Sequence, residues 1–357
     1  MNFLRQKGGG ILLAAAIAAA ASALSASEPG GLRLGLVGAP VFAIAIGMAL
    51  TMIFPALATS PALRPGIAFT SKKILQGAVV LLGFGLNLGT VAAVGARSLP
   101  VIAATILTSL AVAYALRKAL SVDGKTACLI GVGSSICGGS AIAAAAPVIG
   151  ASDEDIARSI SVIFFFNVIA ALIFPVLGYR LGLGSEGFAV FAGTAVNDTS
   201  SVTAAAAAAE NIYGTGGILA EAVTVKLTRT LAIIPITLVL AFYRLKKGQR
   251  GGGVSVRKVF PTFILFFAAA SLLTTVAGLL PESGFTLFCG GRFVAVTKAL
   301  AKFCIAMAMA AVGLNSNLIS LVRKGGRPIL LGLCCWLAIS VVSLLVQYAA
   351  GLYYADL

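Results

Sequence analysis

Apolar residues recur along this chain in runs of about 20, the length that crosses the hydrocarbon core of a bilayer. Eleven such runs stand out, at roughly 8–26, 36–54, 74–90, 100–116, 126–148, 157–178, 187–209, 217–242, 260–280, 293–314 and 328–353. Only 10% of the 357 residues are charged, against roughly 25% in soluble domains, and mean hydropathy is +1.05. The pattern predicts an all-α polytopic membrane protein with about 11 transmembrane helices. It forms one integral membrane domain over 1–357: an extra N-terminal helix and loop (1–35), a first half (36–178) and a second half (179–357).

Charge orients the set. Eighteen basic residues fall in loops on one side: Arg5, Lys7, Arg64, Lys72, Lys73, Arg117, Lys118, Lys125, Arg180, the six between Arg244 and Lys258, and Arg323, Lys324 and Arg327. Four fall on the other: Arg33, Arg97, Arg158 and Arg292. The positive-inside rule then places the N-terminus in the cytoplasm and the C-terminus outside, in a bacterial-type inner (plasma) membrane. The same loop placement accounts for the formal charge of +15 and removes nucleic acid as a partner, since no basic stripe with interleaved aromatics exists. The first run, ending Ala23-Leu-Ser-Ala-Ser27, reads as a retained helix in preference to a cleaved signal peptide. Segment 244–259, basic and Gly-rich, reads as a flexible cytoplasmic connector.

Two of the eleven runs are interrupted. In 131–142 the apolar pattern gives way to Ser134, Ser135, Cys137, Gly138, Gly139 and Ser140; in 193–202 it gives way to Asn197, Asp198, Thr199, Ser200 and Ser201. Unwound backbone survives in a bilayer only where protein or a water-filled cavity satisfies it, and paired interrupted segments point to a transporter's binding site. A half-helix starting near Ser140 would aim its N–H groups and positive dipole end at an anion; the competing reading is a small-residue packing seam. Asp198 is the acidic residue placed deep in the membrane, where carboxylates are costly and usually functional. It is a candidate to carry a coupling proton or Na⁺, or to neutralise a nearby cation. Lys226 and Arg229, three apart on one helix face, lie within about 6 Å of the middle of their span at 1.5 Å per residue. A bound anion would balance them, and the alternative is pairing with Asp198 and Glu221. Asn167 reads as an interhelical hydrogen bonder, Lys298 and Lys302 as snorkelling or exit-lining groups, and Ser152 with Asp155 as a capping box.

The chain has no histidine and six cysteines without a CxxC pair, so no disulfide framework, metal site or cofactor site is expected. Two internal matches appear. Gly85-Leu-Asn87 with Pro100 repeats at a constant offset as Gly313-Leu-Asn315 with Pro328, in spans that run oppositely, as inverted repeats do. The second match is 60 residues apart: Gly133, Ser140 and Ala144–Ala146 align with Gly193, Ser200 and Ala204–Ala206. The span count makes those two segments parallel. Either a span is miscounted, or the match reflects only the shared chemistry of broken helices.

Segments 133–142, 193–202 and Val225-Lys-Leu-Thr-Arg-Thr-Leu231 together resemble the YeiH-like family, whose name assigns sulfate export to it, over nearly the whole chain. That family is similar to the bile acid, arsenite and riboflavin transporter superfamily. The resemblance implies a core domain with crossing broken helices, a panel domain, and alternating access by their relative movement. The expected function is therefore secondary active export of a small anion, sulfate or an organosulfonate, coupled to H⁺ or Na⁺. The protein is not expected to be an enzyme. Its expected partners are that solute, the coupling ion and the lipid bilayer, with a homodimer as a candidate assembly. A cation antiporter on the same fold, with Asp198 binding the cation, is the nearest rival; a Ser–Lys intramembrane hydrolase is the rival from another class.

Overall fold

The computed structural model describes residues 2–27, 38–246, 262–277, 291–315 and 318–356. Among these the chain is helical throughout, without strands. Helices α1 (Asn2–Ala26) and α2 (Ala39–Ile53) are followed by the short α3 (Ala56–Thr59) and α4 (Arg64–Phe69). A π-helical turn at Thr70–Ile74 leads into α5 (Leu75–Gly83). The runs predicted at 74–90 and 100–116 are divided differently in the structure: α6 is one helix from Leu88 to Ala119. Asn87 sets its start, its Oδ1 accepting from Thr90 N at 2.7 Å, and Pro100 is carried inside it. Then come α7 (Gly124–Ser135), α8 (Gly139–Ile149) and α9 (Asp153–Arg180). They are followed by α10 (Ser185–Ala195), α11 (Thr199–Tyr213), α12 (Ile218–Thr230) and α13 (Ile233–Lys246). The last three are α14 (Phe263–Ala277), α15 (Gly291–Asn315) and α16 (Leu318–Ala349).

Among the described residues six helical segments are long and apolar enough to cross a membrane, including Leu88–Ala119, Glu154–Arg180 and Ile218–Leu240. The capping box predicted at Ser152 and Asp155 opens α9. Where helices must approach closely, the sequence supplies glycine. A Cβ on Gly313 of α15 would lie 2.3 Å from Ile44 O, and one on Gly47 of α2 would lie 2.5 Å from Ala310 O. This α2–α15 seam relies on small residues, as packing between helices in lipid does. Elsewhere Trp336 of α16 stacks on Phe166 and Phe174 of α9, with ring centroids 5.5 and 5.3 Å apart.

The principal departure from expectation concerns the two interrupted runs. Neither crosses the molecule. Lys125, at the start of α7, donates from Nζ to Gly150 O at 2.7 Å, just past the end of α8. A continuous helix would hold those residues about 37 Å apart, so α7 and α8 fold back as a hairpin. The second pair does the same: Phe188 of α10 and Tyr213 at the end of α11 have ring centroids 5.6 Å apart. Helix α9 joins the hairpins from one end of the molecule to the other. Its first turn meets α7, where Thr126 Oγ1 donates to Asp155, and its last turn meets α11, where Tyr179 packs on Tyr213.

The hairpins therefore enter from opposite ends and point tip to tip. A span count that treated both as crossings makes them parallel; the structure makes them antiparallel, which accords with the 60-residue match. Arg158 moves to the basic end and Arg180 to the other, leaving the balance at 18 to 4. Two crossings are lost, so the relative placement of the termini is unchanged. The C-terminal tail covers the entry of the second hairpin: Asp356 Oδ1 accepts from Ser185 N at 2.8 Å, and Tyr353 O from Gly184 N at 3.0 Å. The connector predicted beyond Lys246 and Cys289 lie outside the described residues.

Candidate functional site at the hairpin tips

Each hairpin turns through three non-helical residues: Ile136, Cys137 and Gly138 in the first, Val196, Asn197 and Asp198 in the second. They are 60 positions apart, residue for residue. Each turn leaves a helix C-terminus whose last carbonyls and a helix N-terminus whose first N–H groups lack partners within the helix.

The carbonyl ends are satisfied by α12. Lys226 Nζ donates to Ile136 O at 2.7 Å and to Val196 O at 2.8 Å. Arg229 Nε donates to Ser135 O at 2.6 Å, Nη2 to Ser134 O at 2.5 Å, and Nη1 to Thr194 O. Positions 136 and 196 share Lys226, while 134 and 194 share Arg229, so the cations sit on the pseudo-symmetric relation between the hairpins. Both side chains are wholly buried. Their charge meets the negative dipole ends of α7 and α10. The expected partners of these cations were an anion or the carboxylates of Asp198 and Glu221; in the structure their polar atoms are directed to backbone carbonyls. Glu221 lies in the first turn of α12, buried, with Oε2 unpartnered.

The N-terminal ends face a cavity of about 590 Å³. Its floor carries Cys137, Gly139 and Ser140 from the first hairpin and Asp198, Thr199 and Ser200 from the second, with Asn167 of α9 and Thr230 of α12. Lys72, Gln76 and Asn315 bring it to the basic end of the molecule. Asp198 caps α11: its carboxylate accepts from Ser200 Oγ and from Ser201 N, the latter at 3.3 Å. Gly138 caps α8 with φ +68°, ψ −124° and no side-chain hydrogen bond. Asn197, within the second turn, and Ser134, near the end of α7, are buried, with the Asn197 amide and the Ser134 hydroxyl unpartnered. Ser135 Oγ donates back to Val132 O at 3.0 Å.

Of the residues singled out in the sequence, Cys137, Gly139, Ser140, Asp198, Thr199 and Ser200 line the cavity, with Gly138 in the first turn and Ser201 in the opening turn of α11 beside them. Ser134, Ser135, Lys226 and Arg229 lie behind it, in the bonding that holds the tips together. The sequence reading missed Lys72 as a cavity residue, having counted it only as loop charge. It gave Asn167 a hydrogen-bonding role, which it has: Oδ1 accepts from Asn197 N at 3.0 Å. The same side chain also lines the cavity, which a lone polar residue in an apolar run does not reveal. Lys302, expected to snorkel, pairs with Glu210 of α11 at 2.8 Å. No group of three or more His, Cys, Asp or Glu able to hold a metal occurs among the described residues.

The sequence profile described as conserved hypothetical protein 698 matches residues 9–332. The chain is 56% identical over 321 residues to a UPF0324 membrane protein of Streptococcus agalactiae, covering 90% of this chain and 92% of the other. It is 52% identical to one from Streptococcus mutans, covering 99% and 100%. A third, from Fusobacterium nucleatum, is 53% identical over 327 residues, covering 89% and 92%.

Proposed function

The chain belongs to the conserved hypothetical protein 698 family, that of the UPF0324 membrane proteins, and from that premise we propose that it is a secondary active carrier exporting a small anion. Sulfate and organosulfonates are the substrate candidates, in keeping with the resemblance to YeiH-like proteins. One observation carries the reading. The negative ends of α7 and α10 are closed by buried cations, while the positive ends of α8 and α11 line a polar-floored cavity, that of α8 without a side-chain cap. Such a site favours negative charge without a free metal or soluble domain.

By the charge rule the basic end is cytoplasmic, so the cavity faces the cytoplasm. Export then requires the hairpin unit, α7 to α12, to move against the surrounding helices until the tips meet the other side. Asp198 is the residue for ion coupling: it lies in the cavity floor, where a proton or Na⁺ would offset its charge as an anion arrives. A carrier is preferred to a Ser–Lys hydrolase because Lys226 Nζ is engaged by two carbonyls and bonds to no serine. It is preferred to a cation antiporter because the carbonyls of the tips, natural Na⁺ ligands, are already taken by Lys226 and Arg229.

Reconstituted protein should release sulfate or an organosulfonate from liposomes, faster with an imposed H⁺ or Na⁺ gradient. Asp198→Asn keeps a capping side chain and should fold normally but lose the gradient dependence. Gradient-independent flux in wild type would reject Asp198 as the coupling group. The absence of flux for every anion tried would reject the carrier.

A further inference from the structure

The hairpins differ chemically at one pair of equivalent positions. In the second, Asp198 places a carboxylate on the N-terminus of α11, where it accepts from Ser200 Oγ and Ser201 N. Sixty residues earlier the same slots are Gly138, Ser140 and Ala141. The serine and the third N–H of α8 are present, but the carboxylate is missing. No side chain caps α8, although the Cys137 thiol, a weak acceptor, lies against Ser140 and Ala141.

A second group points into the same place. Asn167 is only 1% exposed. Its Oδ1 accepts from Asn197 N, which fixes the amide and turns Nδ2 away from that bond. Nδ2 is buried without a partner and lies 3.7 Å from where a Cβ on Gly138 would be. An unmet buried donor is costly, and Asn167, Gly139 and Ser140 all line the cavity. A ligand oxygen can satisfy them together.

The rest of the cavity limits what carries that oxygen. Its 590 Å³ is far more room than a tetrahedral inorganic ion fills, and Leu75, Val79, Ile163, Phe164, Phe263 and Val312 line its walls. A dianion would also be opposed by Asp198, whose Cβ lies 3.6 Å from the position of a Cβ on Gly138. We propose that the α8 N-terminus, Ser140 and Asn167 form the head-group subsite for an organic monoanion, a carboxylate or sulfonate on an apolar body. The head group takes the place at α8 that the Asp198 carboxylate takes at α11. This deepens the anion-carrier reading and rests on it for the subsite's role in transport.

The test is calorimetric titration of the full protein in nanodiscs with sodium sulfate, alkyl carboxylates and alkyl sulfonates of four to eight carbons. Organic monoanions should bind, with affinity rising about threefold to fourfold per methylene, and sulfate should bind more weakly than hexanesulfonate. Asn167→Asp, which keeps the acceptor for Asn197 N and removes the donor, should weaken binding at least tenfold. Ser140→Ala, at a cavity-facing position that a small side chain fits, should weaken it about fivefold with an unchanged melting temperature. Sulfate binding as tightly as hexanesulfonate, no binding by any organic anion, or full affinity in both variants would overturn the proposal. Binding without flux in liposomes would reject the carrier and leave the subsite standing. Flux with full affinity in both variants would do the reverse.

Discussion

Arg229 illustrates how a buried charge is used here. All three kinds of guanidinium nitrogen donate to carbonyls at the ends of α7 and α10, and the side chain has no exposed surface. Replacing it with lysine leaves at least one carbonyl unmet and forfeits the planar fork. Arg229→Lys should therefore lower stability by at least ~2 kcal/mol, seen as a fall in melting temperature. A variant that unfolds normally yet binds anions weakly would show that Arg229 touches the ligand. Gly138 makes a complementary case. With φ +68° and ψ −124°, Gly138→Ala should cost about 1–3 kcal/mol of backbone strain, measurable by the same unfolding curve. At this scale the sequence was informative about depth and chemistry but not about direction. Lys226 and Arg229 were legible as two cations on one face in mid-span. That their donors meet carbonyls depends on helix ends brought together from positions between 30 and 95 residues away.

The elements carry the main correction. Segments 126–148 and 187–209 have the length and hydropathy of crossing helices, and their polar breaks were visible. A break does not say whether the chain continues or returns; only the partners at its two ends do, such as Lys125 with Gly150. The 60-residue match held the clue, because its equivalent residues proved to share the same two cations. Thiol labelling in a cysteine-free background tests the hairpins. Ala151→Cys should react from the same side as Lys118→Cys, and Gly182→Cys from the opposite side. Labelling of positions 118 and 151 from opposite sides would restore a crossing helix. The α2–α15 seam gives a second prediction at this scale. Gly313→Leu drives a side chain into the Ile44 carbonyl and should cost at least ~1–3 kcal/mol, read as reduced thermal stability of the extracted protein.

Across the whole molecule, opposed hairpins, a pair of cations between their carbonyl ends and a cavity against their N–H ends make one electrostatic unit. The cavity reaches the basic end through Lys72 and Asn315. At the other end the second hairpin is tied down by Arg97–Glu186, Lys302–Glu210 and the C-terminal tail. In the proposed carrier cycle these ties must part when the cavity opens outward. All-helical membrane architecture followed directly from run length and scarce charge. Cavity walls did not, because Val79, Phe164 and Phe263 are ordinary apolar residues until tertiary packing groups them.

The most direct measurement places a single cysteine at Ala143, an exposed cavity-lining position on α8, in a cysteine-free, flux-competent background. Protein reconstituted in liposomes is treated with a bulky thiol reagent, and anion flux is followed. If the anion passes between the hairpin tips, modification abolishes flux, and the transported anion slows modification. Complete modification with unchanged flux would contradict that route.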